Sequence, residues 1–168
     1  MIKISGRQWM FATVVVFFSG CGYQIKAVDP RSIFESYAIA GDQQILACKK
    51  VAGLLEGAGL TNQNIKGTVG VVVRCLDAKT DRRAVSVDAN SLGAEYRVVY
   101  SVRYGLESSD GRQFVRPFWI TRSDSFFYDR DNLLGTYNEE AVIGDELADR
   151  VADQMVQAIS RLDVSPQK

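Results

Sequence analysis

The sequence predicts an α+β fold, a two-layer sandwich in which a mostly antiparallel four-stranded sheet carries two helices on one face. Three observations point there. Ala94 to Glu107 alternates strictly, with Tyr96, Val98, Tyr100, Val102, Tyr104 and Leu106 on one side and Arg97, Val99, Ser101, Arg103 and Gly105 on the other. Ser108-Ser109-Asp110-Gly111 follows as a hairpin turn that hands over to a second strand. Residues 43–58 and 138–162 instead repeat their apolar side chains at three- and four-residue steps, the period of a helix lying on a core.

Taken in order, Ile33 to Ile39 reads as a first strand, broken by Gly41-Asp42. The first helix has Ile45, Cys48, Ala52, Leu55 and Ala58 on its stripe, Asp42 as its expected N-cap and Gly59 as its stop. Thr68 to Leu76 is β-branched and apolar, a strand with Val69, Val71, Val73 and Cys75 on one face. Asp77-Ala78-Lys79-Thr80-Asp81 reads as a turn, after which Ala84 to Asp88 restarts a strand. Gln113 to Ser123 answers the long strand, and Pro117 makes it an edge strand or a bulged one, because proline cannot donate to a ladder. The last helix has Leu147, Ala148, Val151, Ala152, Met155, Val156, Ile159 and Leu162 on its stripe, with Thr136 to Glu139 as an expected capping box.

The first twenty residues differ from the rest. Lys3 and Arg7 precede an apolar run from Trp9 to Phe18, too short to span a bilayer, and small residues close it. That order describes a secretory signal, with a buried N-terminal strand as the other reading. Phe18-Ser19-Gly20-Cys21 resembles the lipobox of bacterial lipoproteins, with phenylalanine where leucine is usual. The resemblance implies cleavage before Cys21 and triacylation of that residue, enough for a stable membrane anchor. By resemblance to lipoprotein sorting in Gram-negative bacteria, where an aspartate after the cysteine favours retention at the inner membrane, Gly22 implies export to the outer membrane. The chain thus divides into a signal peptide over 1–20, an acylated cysteine and tether over 21–32, one α+β domain over 33–163 and a disordered tail over 164–168.

Composition excludes much. There is no histidine, which removes the commonest general base and metal ligand. The three cysteines form no C-x-x-C pair, no Gly-rich phosphate loop occurs, and Glu139, Glu140 and Asp145 are best read as acids at a helix N-terminus. No enzyme, metal or cofactor is expected. Twenty basic residues balance twenty acidic ones, and removal of the signal leaves 18 against 20, so a nucleic-acid partner is not expected either.

Several further stretches carry a family resemblance. Cys21-Gly22-Tyr23-Gln24-Ile25 is followed by the stretch after Val87-Asp88, the Ala94-Glu95-Tyr96 strand and its Asp-Gly turn. Arg122 and the aromatics near Tyr128 come next, then Leu133-Leu134, Asn138-Glu139-Glu140 and a long helix ending Ala158-Ile159-Ser160-Arg161-Leu162. Their order and spacing resemble the LPS-assembly lipoprotein family LptE. The resemblance implies a non-catalytic plug, one per LptD outer-membrane β-barrel, held on the periplasmic side of the outer membrane by its lipid anchor. It supports assembly of that barrel and takes part in lipopolysaccharide insertion. Lipopolysaccharide is implied as a further ligand, bound through basic side chains whose positions correspond here to Leu92 and Thr136, neither of them basic. Arg82, Arg83, Arg97 and Arg103 are the candidate substitutes for contact with lipopolysaccharide or with the barrel.

The bland readings stand beside these. Arg97 and Arg103 also suit a solvated face that pairs with acids, and Tyr96, Tyr100 and Tyr104 are expected in the core. Phe126-Phe127-Tyr128 either faces a partner or folds under the last helix. Cys48 and Cys75 fall on facing stripes; a disulfide joins them, or two buried thiols remain free. A second function stays open, an outer-membrane lipoprotein that binds a lipid or envelope polymer without a barrel. Such a binder needs a concave apolar pocket, whereas a plug needs a broad surface.

Overall fold

The computed structural model describes residue 30 and residues 33–63, 70–87, 93–129 and 131–162. The signal, Cys21, most of the tether, Leu92 and the tail lie outside them. The chain runs β1 (Ser36–Gly41), α1 (Leu46–Gly57), β2 (Thr61–Asn62), β3 (Val71–Val87), β4 (Gly93–Glu107), β5 (Gln113–Phe127) and α2 (Leu133–Ser160).

The α+β class holds, but the sheet is five-stranded and mixed rather than four-stranded and mostly antiparallel, in the order β2-β1-β3-β4-β5. β1 pairs parallel with both β2 and β3, while β3-β4 and β4-β5 are antiparallel. The reason is topological. A helix lies between β1 and β3, and a strand that returns through a crossover helix comes back parallel. β2, at two residues, is too short to announce itself in the sequence.

β3 also runs straight through the expected turn at residues 77–81. Those polar residues pair with β4 throughout, Asp77 with Arg103, Lys79 with Ser101 and Asp81 with Val99. A register shift between Cys75 and Asp77 inserts one extra residue and changes which side chains face the helices. Before it, Val71, Val73 and Cys75 face them; after it, Ala78, Thr80, Arg82 and Ala84 lie in register with Val102, Tyr100, Val98 and Tyr96. Pro117 sits on an edge strand, β5, beside a second shift in pairing between Tyr104 and Leu106, so both expectations for it apply together.

The core lies between the sheet and the two helices. α1 contributes Ala47, Cys48, Val51 and Leu55; α2 contributes Leu147, Ala148, Val151, Ala152, Met155 and Ile159. Tyr37, Val71, Val73, Val102, Tyr104 and Leu106 meet them from the sheet. On the opposite face Ala38, Ala40 and Val72 form a small buried cluster. Tyr100 and Tyr104 are buried as expected, while Tyr96 is half-buried against the core edge.

Both helices start differently from the sequence reading. α1 begins after Ile45 with no side-chain cap; Asp42 instead accepts the Gln44 N–H at 2.8 Å, and the Ala47 N–H donates to the Tyr100 hydroxyl at 3.3 Å. α2 starts five residues earlier than expected, capped by Asn132, whose side chain accepts the Gly135 N–H at 3.0 Å. Any β-carbon at Gly135 would collide with that side chain, at 2.3 Å. Thr136 therefore lies inside the helix, buried, its hydroxyl donating to the Asp129 and Asn132 carbonyls and accepting the Asp129 N–H.

Cys48 of α1 and Cys75 of β3 are joined as a disulfide, with Cα atoms 6.6 Å apart and both side chains buried. That separation is within the span such a bond allows. It closes a loop with a sequence separation of 27, which predicts a loss of about 2–4 kcal/mol for the Cys48→Ala/Cys75→Ala double variant. Denaturant unfolding with and without reductant measures this; equal midpoints for the two conditions, or free thiols at both positions in the denatured, unreduced protein, would refute the cross-link.

Three buried tyrosines give a second prediction. Burial raises the Tyr104 hydroxyl to about 12 and raises Tyr100 and Tyr37 as well, the last also through its hydrogen bond to Glu56 at 2.9 Å. An unfolded tyrosine ionises near pH 10. The stability these groups contribute is intact below about pH 10 and is lost as pH rises toward 12 and beyond. Phenolate absorbance and far-UV dichroism should therefore change together in an alkaline titration. Full tyrosine ionisation near pH 10 with secondary structure retained would contradict it.

Candidate functional site

Past Cys75 the molecule thins. β1 ends at Gly41, and from Leu76 onward no described strand pairs with β3 on that side. What continues is a three-stranded ribbon, β3-β4-β5, with α2 on one face and no described element on the other.

The register assigns side chains to the uncovered face. β3 supplies Asp77, Lys79, Asp81 and Arg83; β4 supplies Glu95, Arg97, Val99, Ser101 and Arg103; β5 supplies Trp119, Thr121, Ser123, Ser125 and Phe127. The centre is made of short side chains, with Ser101 and Thr121 hydrogen-bonded at 2.9 Å. Aromatics mark the two ends of the β5 row, and Phe127 is 74 % exposed. Lys79 lies over the Trp119 ring at 4.6 Å, a cation–π contact. Arg103 stands between Asp77 and Trp119, and Arg97 between Arg83 and Ser125. Two arginines side by side repel; Arg83 turns instead to Asp81 at 2.6 Å. Among the described residues no carboxylate comes within ion-pair distance of Arg97 or Arg103, and both side chains are exposed. A fork of guanidinium donors on a flat field of hydroxyls is suited to carboxylates, phosphates or carbonyls of a partner.

The four candidate arginines do not form one group. Arg83, Arg97 and Arg103 share the uncovered face, but Arg82 lies under α2. Its guanidinium stacks on Tyr96 at 4.1 Å, lies near Phe126 and Tyr128, and pairs with Glu140 of α2 at 2.9 Å. Tyr96 in turn packs on Phe126 and Tyr128. Arg82 thus clasps the ribbon to the first turns of α2. The Phe126-Phe127-Tyr128 stretch is split by the pleat, with Phe126 buried and Phe127 exposed. Thr136, spent on the turn before α2, offers no donor to a ligand.

The sequence reading missed the helix side of the ribbon, where a cleft of about 500 Å³ opens above the start of α1. Ile45, Ala78, Thr80, Tyr100, Ala141 and Gly144 line it, with Asp42 and Asp145 among its polar residues. Two other clefts have mixed linings. One of about 470 Å³ lies between α1 and β1-β2 and includes Gln43, Lys49 and Asn62. The other, about 440 Å³, lies between α2 and β5 and includes Arg122, Arg150 and Asp153. Among the described residues no three His, Cys, Asp or Glu side chains converge to hold a metal ion, and no helix is long and apolar enough to cross a membrane.

Comparison with known proteins adds three findings. The family described as "LptE: Lipopolysaccharide-assembly" matches residues 53–159. Among solved structures, the rare lipoprotein B from Shewanella oneidensis superposes with a TM-score of 0.65 at 17% identity, covering 74% of this chain and 93% of its own. A minor lipoprotein from Acinetobacter baumannii gives 0.62 at 17% identity, covering 76% and 92%, and a lipoprotein B from Nitrosomonas europaea gives 0.62 at 15% identity, covering 76% and 83%. At these identities the likeness establishes the fold. A search of curated sequences returned no match.

The two arginine environments separate on mutation. Arg82→Ala removes stacking and an ion pair that are only partly exposed, so it should lower stability by about 1–2 kcal/mol. Arg83→Ala, on the open face, should change it by less than ~0.5 kcal/mol. Thermal or urea unfolding of both variants decides; equal effects would mean that Arg82 does not clasp the ribbon.

Proposed function

The chain belongs to the LptE lipopolysaccharide-assembly family, and from that premise we propose that it is an outer-membrane lipoprotein that plugs an LptD-type β-barrel and supports its assembly. In this reading Cys21 is the acylated anchor, the protein sits on the periplasmic side, and it acts by occupying and bracing the barrel during lipopolysaccharide insertion, without catalysis. The observation that carries the reading is the uncovered ribbon face, three strands wide, with short hydroxyl side chains at its centre and Arg97 and Arg103 pointing outward. A sheet that packs one face on its own helices and leaves the other wet is commonplace. A face with Trp119 and Phe127 exposed and arginine forks free of described carboxylates is, in addition, composed as interfaces are. The alternative, a lipid or polymer binder with no barrel, needs a concave apolar pocket, and the three clefts above have mixed linings.

The test is purification from outer membranes in mild detergent through a tag placed after Lys168. A large β-barrel should co-purify in equal amount. The double variant Arg97→Glu/Arg103→Glu should lower its recovery roughly tenfold, equivalent to about 1.4 kcal/mol. A lipidated protein recovered alone, even after crosslinking, would overturn the plug reading.

A further inference from the structure

The helix layer above the sheet is incomplete. α2 has 28 residues and α1 has 12, so that α2 is ~42 Å long beside a neighbour of ~18 Å. The two helices lie side by side, with Lys50 of α1 bridging Asp145 and Asp149 of α2 at 2.9 and 2.8 Å. Below that bridge the apolar stripe of α2, Ala148, Val151, Ala152, Met155 and Ile159, is buried. Above it the same stripe continues, at helical spacing, through Gly144, Ala141 and Tyr137 to Leu134 and Leu133. There it is uncovered, with Leu134 80 % exposed and Tyr137 58 % exposed. The cleft lined by Ala78, Thr80, Tyr100, Ala141 and Gly144 lies in this vacant lane, beyond the N-terminal end of α1.

Among the described residues the same place is vacant in the sheet. β1 leaves β3 at Gly41, which pairs with Cys75, the last residue of β3 that β1 reaches. Between the shifts at Cys75/Asp77 and Ala84/Ser86, the stretch from Ala78 to Ala84 is regular and has a described partner, β4, on one side alone. Its outer backbone groups form an open ladder of about seven residues, ~23 Å long. The other free edge, β5, is differently made. It carries Pro117 and a pairing shift, and side chains tie it to α2, Arg122 of β5 to Gln154 and Arg150 of α2 to Asp124. Such devices discourage pairing. β3 from Ala78 to Ala84 has neither proline nor shift, and its charged side chains are already engaged within the chain, Lys79 on Trp119, Arg82 with Glu140 and Arg83 with Asp81.

We infer that the β3 edge from Ala78 to Ala84 and the lane beside the first half of α2 form one docking site for an extended segment of a protein partner. The segment adds a strand to β3 where β1 would have continued, and its inward side chains fill the lane against Tyr100, Ala141 and Tyr137. A strand, unlike a helix, satisfies the open ladder. Asp42 and Asp145 are the charged residues lining the cleft, and Asp145 is already paired with Lys50, so the segment is apolar with a basic side chain placed to meet Asp42. The same carboxylates disfavour a lipid phosphate there. They also disfavour a second copy of this chain pairing lane to lane, which would set acid against acid. The inference rests on the barrel-partner reading, and the segment belongs to that partner.

The experiment uses the complex purified from outer membranes and the free protein. Hydrogen exchange should slow at least tenfold on formation of the complex for amides within 78–84. A photoreactive residue replacing Thr80, Tyr137 or Ala141 should form adducts with the barrel. Ala141→Trp, which fills the lane from an exposed helix position, should cut barrel recovery roughly tenfold, while Ala141→Ser leaves it unchanged with both variants folded by circular dichroism. An intact complex in which 78–84 exchanges as in the free protein overturns the inference and leaves the barrel reading standing. So do adducts formed with another copy of this chain or with lipid only. If no barrel co-purifies with the unsubstituted protein, the barrel reading fails first and this inference with it.

Discussion

The backbone carbonyl of Cys75 is where the two halves of this molecule are joined. It accepts the Asp42 N–H at 2.9 Å, which fixes the chain as it leaves β1. Gly41, at φ 85°, passes so close that a β-carbon there would sit 2.0 Å from that oxygen, so only glycine fits. The Cys75 side chain is bonded to Cys48 on α1, and the extra residue in β3 follows immediately. Cys75 thus marks the end of β1 and ties the helix layer to the sheet, and the extra residue directly after it reverses the facing of everything beyond. The open face, the clasp at Arg82 and the vacant lane all depend on that reversal.

How much of this was legible in the sequence follows from the same point. Strict alternation over fourteen residues identified β4, because a strand half-buried on one face leaves that period and no other. The apolar stripe of α2 was equally plain. The polar run Asp77 to Asp81 read as a turn because a ribbon with an open edge and an open face has no apolar alternation to display. No residue of β3 from Leu76 to Val87 is buried. Arg82 and Arg83 looked interchangeable; only a bulge, which no local pattern announces, puts one under a helix and the other in solvent. The cap of α2 was misplaced for a related reason. Thr136 and Glu139 have capping-box spacing, but Asn132 and Gly135 make the cap, and the Thr136 hydroxyl belongs to the turn from β5. Parallel pairing of β1 and β3 follows from the helix between them, a topological signal that the alternation of either strand does not carry.

Stability is distributed unevenly along the long strands. The buried side chains, the disulfide, α1 and the second half of α2 are concentrated at the end where β1, β3 and β4 run together. At the other end the ribbon holds to α2 through Arg82, Tyr96, Phe126 and Glu140, and buried positions are few. Segments with few buried contacts open at low free-energy cost. A rigid base with a thinly secured arm suits a protein whose arm is completed by something else.

The exposed apolar side chains show which part of the arm is incomplete. Leu133, Leu134, Tyr137, Val142 and Phe127 are all large, all exposed and all near the start of α2 or the end of β5. Scattered singly, such residues would need no explanation. Here Leu133, Leu134 and Tyr137 continue a stripe that is buried from Ala148 onward, so their exposure reflects a missing neighbour and not a change in the helix. A second helix as long as α2, or a β1 as long as β3, would have covered them within the chain. With neither, the fold buries its own core fully at one end and leaves apolar surface beside an open strand edge at the other, the surface on which the proposed interaction depends.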